Sequence, residues 1–126
     1  MRAATEMSID RTSATQRCMD DCSECAVICN EGIMYCCSRG GNHVSMQLMS
    51  ILMDCADMCQ MVCRAMTRSS GMSPKMCALC AEMCINCGNM CEQTSGDKMM
   101  MLCAEVCRRC AESCMDMAPA SMAARL

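Results

Sequence analysis

Apolar and polar positions along this chain alternate with the period of an α-helix, and most of the apolar positions are cysteine. The stretch CMDDCSECAVIC sets Cys18, Cys22, Cys25 and Cys29 at steps of four, three and four, and Cys36 and Cys37 follow about two turns later. CADMCQMVC carries Cys55, Cys59 and Cys63. In CALCAEMCINCGNMC the steps between Cys77, Cys80, Cys84, Cys87 and Cys91 alternate three and four, and CAEVCRRCAESC repeats four, three, four at Cys103, Cys107, Cys110 and Cys114. Such steps place side chains along one face of a helix, so each cluster predicts one helix with one inward stripe. Asp20, Asp21, Glu24, Glu82, Glu105, Arg108, Arg109 and Glu112 fall off the stripes, on faces left for solvent.

Turn residues divide the pattern into helices over 14–39, 43–68, 74–94 and 97–117. Gly40 and Gly41 separate the first two, with Asn42 a candidate N-cap. Gly71 reads as a C-terminal glycine, followed by a Ser73 cap with Pro74 at the first helical position. Ser95-Gly96-Asp97 separates the last two, and Asp97 can cap the fourth. Three short connections make consecutive helices antiparallel. The predicted fold is all-α: an up-down-up-down four-helix bundle with a cysteine-lined core, about 30 to 35 Å long at 1.5 Å per residue. The chain reads as a single domain over 1–126, with 1–12 an arm or short helix, 14–117 the bundle and 118–126 a loose tail.

Composition sharpens this reading. Of 126 residues, 18 are Cys and 20 are Met, while Phe and Trp are absent and Tyr35 is the only tyrosine. The core must therefore be built from Cys, Met, Ala and a few aliphatics. The net charge is −3 and the 11 basic residues are scattered, with Arg108 and Arg109 the only adjacent pair, which argues against a nucleic-acid partner. The opening MRAATEMSIDRTSATQ lacks the apolar stretch of an export signal, and no run approaches a membrane span, so no membrane partner is expected. A cytoplasmic location follows as the expectation, and there thiols stay reduced.

Neighbouring cysteines on one helix do not readily reach disulfide geometry, which disfavours a disulfide scaffold. A thiol can pack as a small hydrophobe, but four aligned stripes exceed what core filling needs. No catalytic triad, paired carboxylate or phosphate loop is present, so no enzymatic activity is expected. The remaining reading is a soft-metal store. Ligand softness favours Cu(I), with zinc or cadmium sequestration, iron-sulfur binding and a copper-responsive sensor as alternatives. If each Cu(I) bridges two thiolates and each thiolate bridges two ions, the chain holds about 18 Cu(I), one per cysteine, in a neutral core. A tetrathiolate zinc site would keep two negative charges, and the stripes offer no Lys or Arg against them. The C-x2-C-x2-C-x3-C-P spacing of ferredoxins is absent.

Four successive cysteine-lined helices, from Cys18 to Cys114, resemble the copper storage protein family. The resemblance implies a four-helix bundle, commonly a homotetramer, whose core cysteines bind many Cu(I) ions. The clustered cysteines carry over as ligands, and the missing export signal is similar to the cytosolic branch. Cytosolic members tend to carry several histidines at the open end; this chain has His43 alone.

Antiparallel geometry gathers His43, Met46, Met49, Met53, Met99, Met100 and Met101 at one pole, where thioethers could pass Cu(I) inward as possible mouth ligands. Alternatively these methionines fill gaps in the core. Cys36 and Cys37 read as peripheral ligands or exposed thiols, since Cys37 is rotated about 100° from the stripe. His43 reads as a ligand or as a capping or surface group, and Tyr35 as a packing residue at the same pole. Gly32 leaves room on the first stripe for a neighbouring layer. Met58, Met61, Met83 and Met90 are expected to cover the bundle's sides or a subunit interface.

Overall fold

The computed structural model describes residues 11–124. It contains α1 (Ser13–Arg39), a 3-10 turn (Gly41–Val44), α2 (Met46–Thr67), α3 (Ser73–Thr94), α4 (Lys98–Met117) and a short α5 (Ala120–Ala123). Helix α1 packs against α2 and α4, and α3 against α2 and α4. Facing pairs such as Arg17 with Asp116, Glu24 with Arg109, and Tyr35 with Asp97 run in opposite directions along α1 and α4. The same holds for Cys55 with Cys84 and Cys59 with Cys80 on α2 and α3. The expected up-down-up-down bundle is therefore formed. Its upper pole carries the connections 40–45 and 95–97, and its lower pole carries 68–72.

Short side chains let the helices approach closely. Ala26, Ala56, Ala81, Ala104 and Ala111 are buried next to the cysteines, and Gly88 faces the α4 backbone, where an added Cβ would lie 3.3 Å from the Ala104 carbonyl oxygen. Gly32 sits opposite Cys103, whose Sγ would lie 3.0 Å from a Cβ at that position. The room left on the first stripe is thus taken by a thiol of α4.

The helix ends correct several expectations. Thr12 caps α1, accepting from the Thr15 amide at 3.1 Å. Asn42 does not cap α2: residues 41–44 wind as a 3-10 turn, and Ser45 accepts from the Leu48 amide at 3.2 Å. At the lower pole Ser69, not Gly71, takes the left-handed conformation (φ 53°), while the Ser70 amide reaches back to the Ala65 carbonyl. Ser73 is the first residue of α3, not its cap, and its buried hydroxyl has no hydrogen-bond partner. Asp97 caps α4 as expected, accepting from the Met100 amide at 3.0 Å. Residues 120–123 form a helical turn where a loose tail was expected. The N-terminal arm lies outside the described residues, apart from 11 and 12.

Ion pairs between Arg109 and Glu24, Arg108 and Glu92, and Arg17 and Asp116 join helices at the surface. Half-exposed as they are, each is worth at most about 1 kcal/mol. The bundle is held by its apolar interior, where Ser113 is the only polar residue buried as a whole among the described residues.

Candidate metal centre

The helical period determines which thiols meet. On α1 the inward positions are Cys18, Cys22, Cys25, Cys29, Gly32 and Cys36; on α3 they run from Cys77 to Cys91; on α4 they are Met100, Cys103, Cys107, Cys110 and Cys114. On α2 the stripe is Leu48, Leu52, Cys55, Cys59, Val62 and Met66, all buried. Cys63 is therefore off the stripe and only half-buried, with its Sγ 3.4 Å from the Ser23 hydroxyl. Cys37 is exposed, and the other 16 cysteines are buried.

No cysteine is disulfide-bonded. Sulfur–sulfur separations across the core run from 3.7 Å at Cys55–Cys84, Cys59–Cys80 and Cys22–Cys110 to 4.0 Å at Cys25–Cys29. A disulfide needs about 2.05 Å. A soft ion about 2.3 Å from each sulfur can instead bridge atoms up to about 4.6 Å apart, so these gaps accept a metal without moving the backbone.

Five groups bring their sulfurs within 4.8 Å of one another: Cys18, Cys77 and Cys114; Cys22, Cys80, Cys110 and Cys114; Cys59, Cys80, Cys84 and Cys110; Cys25, Cys55, Cys59 and Cys84; and Cys25, Cys29, Cys55 and Cys107. Each group shares at least one thiol with the next. Isolated tetrahedral sites would not share ligands in this way, whereas a run of bridged ions requires it. Cys87, Cys91, Cys103 and Cys36 continue upward, buried but outside these groups.

Packing thiols together separates their acidities. Hydrogen bonds from Cys114 and Cys18 lower the Cys77 thiol against the effect of burial, and one from Cys110 does most to lower Cys80. A hydrogen bond from Cys103 lowers Cys91, while Cys103 itself is raised by donating that bond and by burial. Cys36, removed from the groups, is pushed up to about 11 by burial and then by the charges of Cys91 and Asp97. Neighbouring thiols thus differ in acidity, and a cation must replace their protons for the whole column to ionise.

The mouth residues divide. Met46 is 86% exposed, and Met53 and Met101 also face solvent. Met49 and Met99 are half-buried against the core, and Met100 is fully buried, accepting from the Cys36 thiol at 3.7 Å. Leu48 and Leu52 are fully buried at the same level and close the interior there. His43 Nε2 lies 2.9 Å from Asp97 Oδ2, and the Tyr35 hydroxyl donates to the same oxygen at 2.8 Å. Burial would raise the Asp97 carboxyl, but the Met100 amide, His43, Tyr35 and Ser95 outweigh it and hold it at about 2. Of the off-stripe methionines, Met58 is buried, Met83 and Met90 are half-buried against the core, and Met61 is exposed.

Sequence reasoning passed over Val62 and Met66 on the α2 stripe and the alanines that set the helix spacing. The signal was present: Cys25-Ala26, Cys55-Ala56, Cys77-Ala78, Cys80-Ala81, Cys103-Ala104 and Cys110-Ala111 repeat one dipeptide, and each of these alanines is buried.

Comparison with known proteins agrees with this geometry. The Nmul_A1745 protein of Nitrosospira multiformis superposes with a TM-score of 0.79 at 40% identity, over 83% of this chain and 94% of that one. The Cu(I)-bound copper storage protein BsCsp3 gives 0.79 at 30% identity, over 85% and 100%. The copper storage protein Ccsp of Streptomyces lividans, loaded with 10 copper equivalents, gives 0.80 at 25% identity, over 91% and 95%. An uncharacterized cysteine-rich protein of Bacillus subtilis, YhjQ, is 32% identical over 66% of this chain and 77% of its own length. The copper storage protein family model matches residues 11–119, and the chain belongs to that family.

Proposed function

We propose that this chain stores Cu(I) as thiolate-bridged ions along its buried cysteine column, at roughly one ion per buried thiol. The observation that carries this reading is the sharing of cysteines between successive groups, from Cys18–Cys77–Cys114 to Cys25–Cys29–Cys55–Cys107. Each Cu(I) replaces one thiol proton, so the column fills without accumulating charge. Zinc or cadmium in tetrathiolate sites would leave two negative charges per site among apolar neighbours, which the interior does not offset.

The proposed ligands are the 16 buried cysteines, with half-buried Cys63 and exposed Cys37 as peripheral thiols. Met100 adds one thioether beyond Cys36 at the upper pole, with Met49 and Met99 beside it. Free thiols in this number suit a reducing cytoplasm. Among the described residues no helix is long and apolar enough to cross a membrane. Assembly as a homotetramer, carried from the family resemblance, is supported by apolar side chains left on the outer faces, including Val27, Met34, Met61 and Leu79.

Anaerobic titration of reduced protein with Cu(I) against a chromophoric chelator, with Zn(II) in parallel, tests the reading. Tight uptake of about 16 to 18 Cu(I) is expected, following the thiol count. Saturation near four Cu(I), or tighter filling by Zn(II) than by Cu(I), would overturn it.

A further inference from the structure

Three helices build the lower end of the thiol column. Its two lowest groups, Cys18, Cys77 and Cys114 and then Cys22, Cys80, Cys110 and Cys114, take their thiols from α1, α3 and α4. Helix α2 turns Val62 and Met66 inward at this end, and Cys59, the nearest thiol on its stripe, belongs to groups above. The α1 sulfurs meet those of α4: Cys22 lies 3.7 Å from both Cys110 and Cys114, and Cys18 lies 3.8 Å from Cys114. These contacts depend on the register between α1 and α4.

A polar network sits on that seam, one position back from the thiols. Arg17 precedes Cys18, Asp21 precedes Cys22 and Ser113 precedes Cys114, and one step along a helix turns a side chain by about 100°, from core to flank. Ser113 is 1% exposed. Its hydroxyl donates to Asp21 Oδ2 and lies 3.3 Å from the Arg109 carbonyl oxygen of its own helix. It accepts from Arg17 Nε at 3.2 Å, and the same guanidinium reaches Asp116 Oδ2 at 3.1 Å. One buried hydroxyl thus ties α4 to two α1 side chains a turn apart. Sliding α1 by one residue, about 1.5 Å, would break both bonds and leave a buried polar group unpaired. The Arg109–Glu24 pair lies on the same seam, but it is half-exposed and holds register weakly.

We propose that Ser113, with Asp21 and Arg17, is a positioning clamp for metal binding: it fixes the α1–α4 register so that Cys18 and Cys22 meet Cys110 and Cys114 at bridging distance. This rests on the storage reading above. The three residues act through the cysteine that follows each of them, Cys18, Cys22 and Cys114, and not as ligands. Bridged ions need each shared sulfur in place for two neighbours at once, so an error in register at Cys114 is felt in both of the lowest groups.

The test is the Cu(I) retained by loaded, reduced full-length protein against rising concentrations of a chromophoric chelator under anaerobic conditions. Ser113→Ala and Asp21→Ala each break the bond across the seam, and circular dichroism verifies that they fold. Both are expected to hold up to about six ions, one per thiol of the two lowest groups, about tenfold more weakly, the equivalent of one buried hydrogen bond. Asp21→Asn is the rescue, because its amide oxygen can still accept from the Ser113 hydroxyl. Thr12→Ala removes the N-cap at the same end of α1 and lowers stability without touching the seam. These two variants should retain copper within about twofold of the parent, since neither loses the bond between the helices. Retention unchanged in Ser113→Ala and Asp21→Ala, or weakened as much in Thr12→Ala, would overturn the clamp while leaving the store intact. A low copper count in the parent protein would instead overturn the storage reading, and the clamp with it.

Discussion

The two poles of the bundle use the same helical period for opposite ends. At the lower pole three helices carry thiols inward nearly to the rim, Cys18, Cys77 and Cys114, while α2 offers Val62 and Met66, and Met66 and Met117 line an open cleft. At the upper pole the thiols Cys36, Cys91 and Cys103 share the interior with Leu48, Leu52 and Met100, and above them a single carboxylate, Asp97, joins Tyr35, His43 and the Met100 amide. One end thus shows a sulfur-lined opening and the other a closure of leucines and a hydrogen-bonded carboxylate. Apolar packing and satisfied hydrogen bonds give the upper pole rigidity, whereas the lower pole lacks such a closure among the described residues.

Opening the leucine plug should have the largest effect on this contrast. Leu52→Ala removes a fully buried side chain and should cost about 2–5 kcal/mol of apo-protein stability, as should Leu48→Ala, read from chemical denaturation. Met66→Leu, at the other pole, should cost less than about 1.5 kcal/mol. A loss below about 1 kcal/mol for either leucine would show that it does not close the upper pole. The plug variants should keep the copper count of the parent, because no thiol is removed.

A smaller effect is expected at the Asp97 latch. Asp97→Ala removes the α4 cap and the shared partner of Tyr35 and His43, and should cost about 1–2 kcal/mol in the apo-protein. The carboxyl is held down at about 2 from its ordinary 3.8, so its contribution is present above about pH 4 and lost as pH falls through about 2. Denaturation curves of parent and Asp97→Ala should therefore converge across that window. A stability difference unchanged down to pH 2 would show that the charge of Asp97 is not what ties the pole.

How far the sequence reveals this architecture depends on which residue type marks the stripe. On α1, α3 and α4 cysteine marks the inward face almost throughout, so the helices, their antiparallel order and most of the thiol column are legible from spacing. On α2 cysteine identity misleads, because Cys63 follows Cys59 at a plausible step while Val62 is the residue that faces inward. The stripe is legible there only if Leu48, Leu52, Val62 and Met66 are counted with the cysteines as one apolar series. Asp97 is readable as a cap because a carboxylate before a helix has one obvious local use. The Ser45 cap is hidden by the 3-10 turn that precedes it. The methionines at 46, 53 and 101 share a pole with the core in sequence terms, yet the period turns them toward solvent.

The most direct test of the central claim is a crystal structure of the Cu(I)-loaded protein, with copper located by anomalous scattering. The account predicts a continuous file of closely spaced ions bridged by shared cysteines, running from Cys18–Cys77–Cys114 to Cys25–Cys29–Cys55–Cys107 and on toward Cys36. Isolated ions each enclosed by four unshared thiolates, or copper outside the column, would contradict it.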